Sequence, residues 1–203
     1  MKTNKKTNSN IAFQKWIAAV GIILFIGKLV AWKLTNSDAV FSDAMESIVN
    51  VISAFLGLYS LYLAAKPKDE NHPYGHGKVE FVTSAIEGSL ISIAGVMIIY
   101  EGTNSLISGK VLSKLDLGIW IIAATAIINY IIGYISIQKG KRENSIVLIS
   151  SGKHLQSDTI TTLGVVVSLV LVYFTKIVWI DSLVALFFGF YIIVIGYKII
   201  RKS

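Results

Sequence analysis

Residues 39–64 read AVFSDAMESIVNVISAFLGLYSLYLA, and this stretch decides the class of protein. It is long enough to cross a hydrocarbon core of about 30 Å as a helix, which takes roughly 20 residues. Its charged residues are Asp43 and Glu46. A charged group at bilayer depth is costly to bury, so it usually has a function. The stretch therefore predicts a transmembrane helix that carries a polar site.

The rest of the chain repeats this pattern of long apolar runs and short polar breaks. We predict six transmembrane helices, over residues 12–34, 39–64, 81–107, 117–137, 146–174 and 178–200. Charged residues make up 15% of the 203 residues and hydrophobic residues 54%, whereas a soluble domain carries about a quarter charged residues. Backbone polar groups in lipid must be satisfied internally, so segments of this length should be helical. The sequence predicts an all-α integral membrane protein.

Basic residues are distributed unevenly between the two sets of loops. They concentrate in the N-terminal tail, in the second–third and fourth–fifth connections, and at the C-terminal end. Cytoplasmic loops carry such an excess, so we predict that both termini are cytoplasmic. The net charge of +7 then reports topology, and we expect no nucleic-acid partner. Residues 1–203 are predicted to form a single transmembrane domain with a cytoplasmic tail at 1–11 and no C-terminal cytoplasmic domain.

Polar residues in the second segment recur on one helix face. Asp43, Glu46 and Asn50 follow an i, i+3, i+7 spacing, which places them in one stripe. Such residues either cap the outer end of a helix or face an interior pathway. Asp43 lies close to the end of the segment and fits the first interpretation, whereas Glu46 and Asn50 lie deeper and favour the second.

The fifth segment carries a second polar face. His154 and Asp158 are four residues apart, so both lie on one side of a helix. Neighbouring Ser and Thr residues can be explained as hydrogen-bonding groups between helices. The imidazole and the carboxylate could bind a metal directly or share a proton. The chain has no cysteine, so a metal site must use His, Asp, Glu or Asn.

Two further candidates lie outside these faces. The Gly- and Pro-containing loop KPKDENHPYGHGK, residues 66–78, contains Asp69, His72 and His76. These residues either bind zinc or belong to a solvated polar connection. Glu87 in the third segment either relays protons or pairs with a polar neighbour across a helix interface.

Three motifs give the chain a family resemblance. SDAMESIVNVISA at residues 42–54, HPYGHGKVEF at 72–81 and GKHLQSDTITTLGVVV at 152–167 resemble the cation diffusion facilitators, a family of proton-coupled divalent-metal exporters. The resemblance covers essentially the whole chain. It implies six transmembrane helices, a homodimer, and a transport site between the second and fifth helices.

The resemblance also implies roles for individual residues. The transport ligands would be Glu46, Asn50, His154 and Asp158. A cytoplasmic loop site, present in some members, would use the loop residues already named. Asp43 and Glu87 are candidates for supporting these ligands from behind or for relaying protons.

Two positions depart from the common family pattern. Members commonly have Asp or His at the position of Glu46, and Asp at that of Asn50. An amide is neutral, so the site carries one fewer negative charge than an all-acid version. The donor set leaves Zn²⁺, Fe²⁺, Mn²⁺, Co²⁺ and Cd²⁺ open. We expect zinc because His154 offers an imidazole nitrogen.

The expected function is efflux of a divalent transition metal, with zinc favoured, in exchange for external protons across the cell (plasma) membrane. Expected partners are metal ions, protons, the lipid bilayer and a second copy of the chain. We expect no enzyme activity, since an intramembrane metallo-enzyme would need an HExxH-type arrangement. The alternative is a non-transporting membrane subunit or metal-binding partner with a vestigial site, which Asn50 and the absence of a soluble domain favour.

Overall fold

The computed structural model describes residues 2–64 and 77–202, and these residues form six α-helices and no strand. The helices are α1 (Lys2–Thr35), α2 (Asp38–Ala64), α3 (Gly77–Ser108), α4 (Leu115–Glu143), α5 (Ile146–Thr175) and α6 (Trp179–Lys202). Each helix contains a stretch long and apolar enough to cross a membrane. The predicted six-helix, all-α membrane fold is confirmed, and the chain is a multi-pass membrane protein.

Two helices extend well beyond the apolar runs that predicted them. Helix α1 begins at Lys2, inside the predicted tail of residues 1–11, and α4 continues to Glu143 instead of ending near residue 137. The predicted span of residues 12–34 agrees with the membrane span Ala12–Thr35, and the helix itself is longer because hydropathy marks where lipid contact ends, not where the backbone helix ends. The α4 extension reads QKGKRE, residues 138–143, and Gln, Lys, Arg and Glu are good helix formers, so that helix continues through polar residues.

The α1–α2, α3–α4 and α5–α6 connections lie at one end of the bundle, which we call the Asp38 end. Three non-glycine residues in these connections adopt left-handed backbone conformations and so end or begin helices abruptly, namely Asn36, Lys114 and Lys176. The backbone amide of Ser113 donates a 3.0 Å hydrogen bond to the carbonyl of Thr35. This bond ties the α3–α4 connection to the end of α1.

Close backbone contacts define two helix pairs, α3 with α6 and α4 with α5. A Cβ atom added to Gly95 would lie 2.9 Å from the carbonyl oxygen of Gly189. A Cβ added to Gly133 would likewise lie 2.9 Å from the carbonyl oxygen of Gly152. Small residues let membrane helices approach this closely, since packing rather than hydrophobicity holds them together in lipid.

Helix α2 lies in the middle of the bundle and contacts α1, α3, α5 and α6. Val49 packs in one buried cluster with Ile98 of α3, and Val40 in another with Leu169 of α5. Large apolar side chains cover the outside of the bundle, among them Tyr100, Trp120, Ile160 and Phe174. The fold thus encloses the polar faces of α2 and α5 between apolar neighbours.

Candidate functional site

Polar side chains of α2 and α5 meet at two levels. The helices run in opposite directions, because α2 begins and α5 ends at the Asp38 end. Asn50 meets His154 and Asp158, and we call this the inner level. Asp43 meets Thr162 and Lys28 closer to the Asp38 end, and we call this the outer level. Both levels lie within candidate membrane spans.

The inner level is joined by the side-chain amide of Asn50. Its Nδ2 donates a hydrogen bond to Oδ2 of Asp158. Its Oδ1 lies 2.5 Å from Nε2 of His154. Both contacts are satisfied when the imidazole Nε2 carries a proton and Asp158 is an ionised acceptor. Asp158 is only 3% exposed, whereas His154 is exposed, so the level extends from an accessible imidazole to a buried carboxylate.

Glu46 belongs to the same cluster. It precedes Asn50 by four residues on α2, so both lie on one helix face. It interacts electrostatically with the neighbouring charged groups, which are Asp158, Asp43, Lys28 and His154. The four ligands predicted from the sequence therefore lie together. Within the part of the chain that is described, no three His, Asp or Glu side chains form a ready metal cage, and the α2–α5 contacts at this level run through the amide instead.

One carboxylate oxygen at the inner level retains bonding capacity. Oδ1 of Asp158 is buried and has no hydrogen-bond partner among the side chains and backbone groups that the structure describes. Buried polar atoms in proteins are nearly always hydrogen-bonded. An orphaned carboxylate oxygen beside an amide and an imidazole can accept a proton or a cation, so the residues present fit a cation as ligand.

The outer level contains a buried ion pair. Nζ of Lys28 lies 2.9 Å from Oδ1 of Asp43, and each side chain is 1% exposed. Thr162 accepts a 3.2 Å hydrogen bond from Lys28 and donates a 2.7 Å bond to Asp43. Its position near the end of the segment favoured a capping role for Asp43. The structure shows instead that Asp43 bonds to Lys28 and Thr162 and does not cap α2.

Sequence reasoning missed Lys28. The signal was present, because this lysine is the single charge in the apolar run GIILFIGKLVAW, residues 21–32. The sequence predicted it only as part of a membrane span. Its burial against the carboxylate of Asp43 places it in the polar cluster.

Helix α2 is capped by a residue of α6 at the Asp38 end. Asp181 accepts hydrogen bonds from the hydroxyl of Ser37, the backbone amide of Asp38 and that of Ala39, at 2.6, 2.5 and 3.4 Å. The first backbone amides of a helix have no partner within it, so this carboxylate satisfies two of them. The contact joins the α3–α6 pair to the start of α2.

Lys110 closes the same end from the α3–α4 connection. Its Nζ lies 2.6 Å from Asp38 Oδ1 and 3.2 Å from Glu101 Oε1. Partial burial alone would lower the pKa of Lys110. The hydrogen bonds and charges of the two carboxylates outweigh that effect and raise the pKa above its ordinary value.

Some predicted site residues lie outside what the structure describes. Asp69, His72 and His76 fall within residues 65–76, which are not among the described residues. Glu87 is part of helix α3, and its side chain is likewise not described. The loop site and the role of Glu87 remain predictions.

The fold and the cluster define a multi-pass membrane protein with ionisable groups between two of its spans. Residues 15–203 match the family model of the cation efflux transmembrane domain. The chain belongs to the cation efflux family, the cation diffusion facilitators, and the relationship predicted from its motifs is confirmed.

Known relatives match over most of this chain. An uncharacterised transporter of Synechocystis is 39% identical over 176 residues, covering 87% of this chain and 57% of the relative. The manganese efflux system protein MneS of Bacillus subtilis is 25% identical over 91% of this chain and 63% of its own length. The cation-efflux pump FieF of Pectobacterium carotovorum is 28% identical, covering 86% and 58%. The chain thus spans less than two thirds of each of these relatives.

Proposed function

We propose that this protein exports a divalent transition-metal cation from the cytoplasm in exchange for external protons. The observation that carries the proposal is the orphaned Oδ1 of Asp158, buried within the polar contact between α2 and α5. A membrane-buried carboxylate of this kind typically lies on an ion pathway. Membership of the cation efflux family supports a cation as the transported substrate.

The proposed ligands are Glu46, Asn50, His154 and Asp158. Glu46 and Asp158 would together cancel the charge of a divalent ion, which lowers the cost of holding it away from water. The ion would replace the hydrogen bonds that the amide of Asn50 now makes to its two α5 neighbours. Because these ligands belong to two helices, occupancy would be coupled to the relative position of α2 and α5.

Coupling to protons follows from the chemistry of the same ligands. A metal ion requires a neutral imidazole and ionised carboxylates, so metal and protons compete for the same ligand atoms and metal loading is coupled to proton release. Protons entering from the opposite side compete for these atoms and promote metal release. Asp43 and Glu87 are proposed as relay groups for those protons.

Zinc is the favoured substrate, with manganese the second candidate. The imidazole nitrogen of His154 and two carboxylates suit zinc, and a given site generally binds zinc more tightly than manganese. Manganese is favoured by the similarity to a manganese efflux protein and by the predominance of oxygen donors. Fe²⁺, Co²⁺ and Cd²⁺ are the remaining members of the series to compare.

We also propose a membrane orientation, an oligomeric state and a second metal site for the transporter. Both termini and the connection between α2 and α3 lie in the cytoplasm, and the protein acts as a homodimer in the plasma membrane. Asp69, His72 and His76 form a second, cytoplasmic metal site in that connection. A non-transporting subunit is the rival function, and it would bind metal without moving it.

Calorimetric titration of the purified protein with Zn²⁺ and Mn²⁺ tests the site. Repeating the titration in buffers of different ionisation enthalpy counts the protons released. We expect metal binding with proton release, and loss of both in Asp158→Asn. Ser168→Ala is a matched control, since Ser168 is a buried polar residue of α5 outside the cluster. Equal metal affinity in Asp158→Asn and the wild type would contradict the proposed ligand set.

A further inference from the structure

Lys28 contributes a positive charge to the α2–α5 cluster from a third helix. It lies on α1 and is 1% exposed. Its hydrogen bonds go to Asp43 of α2 and Thr162 of α5. Burial of an ammonium group without compensation is prohibitive, so Lys28 depends on the carboxylate of Asp43 for its charge.

The ion pair is next to the proposed ligands in both helices. Asp43 precedes Glu46 by three residues on α2, and Thr162 follows Asp158 by four residues on α5, so each is about one turn away. Lys28 also interacts electrostatically with Asp158 and Glu46. Its charge therefore acts on the atoms that would hold the metal, although its hydrogen bonds lie at the outer level.

A purely structural explanation accounts poorly for this pair. Replacing a buried ion pair with apolar residues is often neutral or stabilising, so fixing α1 to its neighbours does not require one. Oδ2 of Asp43 is moreover buried without a hydrogen-bond partner in the described portion of the chain. A pair selected only for stability would be expected to satisfy both carboxylate oxygens.

The charges of the cluster add up in a way that matches a divalent cation. Asp43, Glu46 and Asp158 contribute three negative charges when ionised. Lys28 contributes one positive charge, so the cluster has a net charge of −3 + 1 = −2. A divalent ion brings the total to zero. In the absence of Lys28 the same ion would leave an excess negative charge in a low-dielectric region.

We propose that Lys28 is the residue that sets the charge of the cation site, cancelling Asp43 so that the remaining charge matches one divalent ion. The inference rests on the proposed transport site. Lys28 is a positioning residue, because it acts through Asp43 and through its field and not by touching the cargo. It makes the outer level a determinant of how strongly the inner level holds metal.

Removing the charge of Lys28 and removing that of Asp43 should shift metal affinity in opposite directions. In Lys28→Met the cluster gains a negative charge, so the dissociation constant for Zn²⁺ should fall by about tenfold or more. In Asp43→Asn the cluster loses one, and the constant should rise by about tenfold or more. The double variant Lys28→Met/Asp43→Asn restores the net charge and should return close to wild-type affinity. Calorimetric titration of the full chain with Zn²⁺ measures all three.

Opposite shifts and the rescue distinguish a charge effect from a packing effect. Gln14→Met is the control, since Gln14 is also buried on α1 and hydrogen-bonds Ser151 of α5 but carries no charge. It should leave zinc affinity unchanged. If Lys28→Met does not fold, the double variant and Asp43→Asn still test the inference, because only the latter alters the charge. Equal affinity in those two would then overturn it.

The titrations distinguish failure of the role inferred for Lys28 from failure of the proposed transport function. If the wild type binds zinc and both single variants shift affinity in the same direction, or neither shifts it, the role of Lys28 is overturned while the transport site stands. If the wild type binds neither Zn²⁺ nor Mn²⁺, the proposed function fails and the inference fails with it.

Discussion

Asn50 donates its side-chain amide hydrogen to Oδ2 of Asp158, joining α2 to α5 inside their membrane spans. The same amide lies 2.5 Å from the imidazole of His154. A neutral side chain thus occupies the position between two potential metal ligands. If the proposed metal site is correct, these hydrogen bonds are exchanged for metal coordination, and the residue at position 50 should then tune metal affinity.

Substitution of Asn50 by Asp should tighten metal binding. The change adds a negative charge beside Asp158, so the dissociation constant for Zn²⁺ at neutral to alkaline pH should fall by about tenfold. Two adjacent carboxylates hold a proton more strongly than one, so the affinity should also fall more steeply on acidification. Titrations at several pH values measure both effects. An unchanged affinity and an unchanged order of metals would show that Asn50 is a packing residue.

The contact between α3 and α6 should be intolerant of even one methyl group. A Cβ on Gly95 would lie 2.5 Å from Ile193 Cγ1 and 2.9 Å from the carbonyl oxygen of Gly189. Gly95→Ala should destabilise the protein by about 1–3 kcal/mol through overpacking. Gly21→Ala is the control, because its Cβ would meet only Val51 Cγ2 at an ordinary 3.8 Å. Thermal unfolding in detergent compares the two, and equal melting temperatures would contradict the close packing.

The cap that α6 provides to α2 should be measurable as stability. Asp181→Ala removes the acceptor of the Ser37, Asp38 and Ala39 hydrogen bonds, so we expect a loss of about 1–3 kcal/mol. Hydrogen exchange at the start of α2 should accelerate with it. Asp116→Ala removes an exposed aspartate from the first turn of α4 and should have little effect. Unaltered exchange in Asp181→Ala would exclude the cap.

The raised pKa of Lys110 determines how the stability of the Asp38 end should change at alkaline pH. Asp38 and Glu101 raise the pKa of this lysine above its ordinary 10.5. The stability it provides is therefore fully present below pH 10.5 and is lost as the pH rises through the higher pKa of the folded protein. The difference in melting temperature between wild type and Lys110→Met should be constant from neutral pH to about pH 10 and then shrink. A difference that grows with pH would contradict this sign.

The membrane fold was predictable from sequence because length and hydropathy specify a spanning helix. The packing of one helix against another was not, since it depends on close contacts such as Gly95 with Gly189, which hydropathy does not register. Polar stripes located Asp43, Glu46 and Asn50 on α2. Their pairing with α5 was implied by family resemblance only, because spacing within one helix does not specify a partner.

Lys28 and Asp181 make contacts with other helices that the sequence motifs did not predict. Lys28 lies in a long apolar run and was predicted only as part of a membrane span, yet it is buried against Asp43. Asp181 lies at the start of the sixth helix, where an acidic residue would ordinarily be assigned to its own helix dipole. The structure directs it to α2 instead. Both contacts join one helix to another, which the pattern within a single helix does not specify.

Metal flux in proteoliposomes under an imposed pH gradient tests the central claim most directly. Zn²⁺ and Mn²⁺ are compared for the wild type, Asp158→Asn and Ser168→Ala, with folded protein verified by gel filtration. We predict flux that requires the proton gradient in the wild type and in Ser168→Ala, and none in Asp158→Asn. Flux that persists in Asp158→Asn, or wild-type protein that binds metal but moves none, would contradict proton-coupled transport through the α2–α5 site.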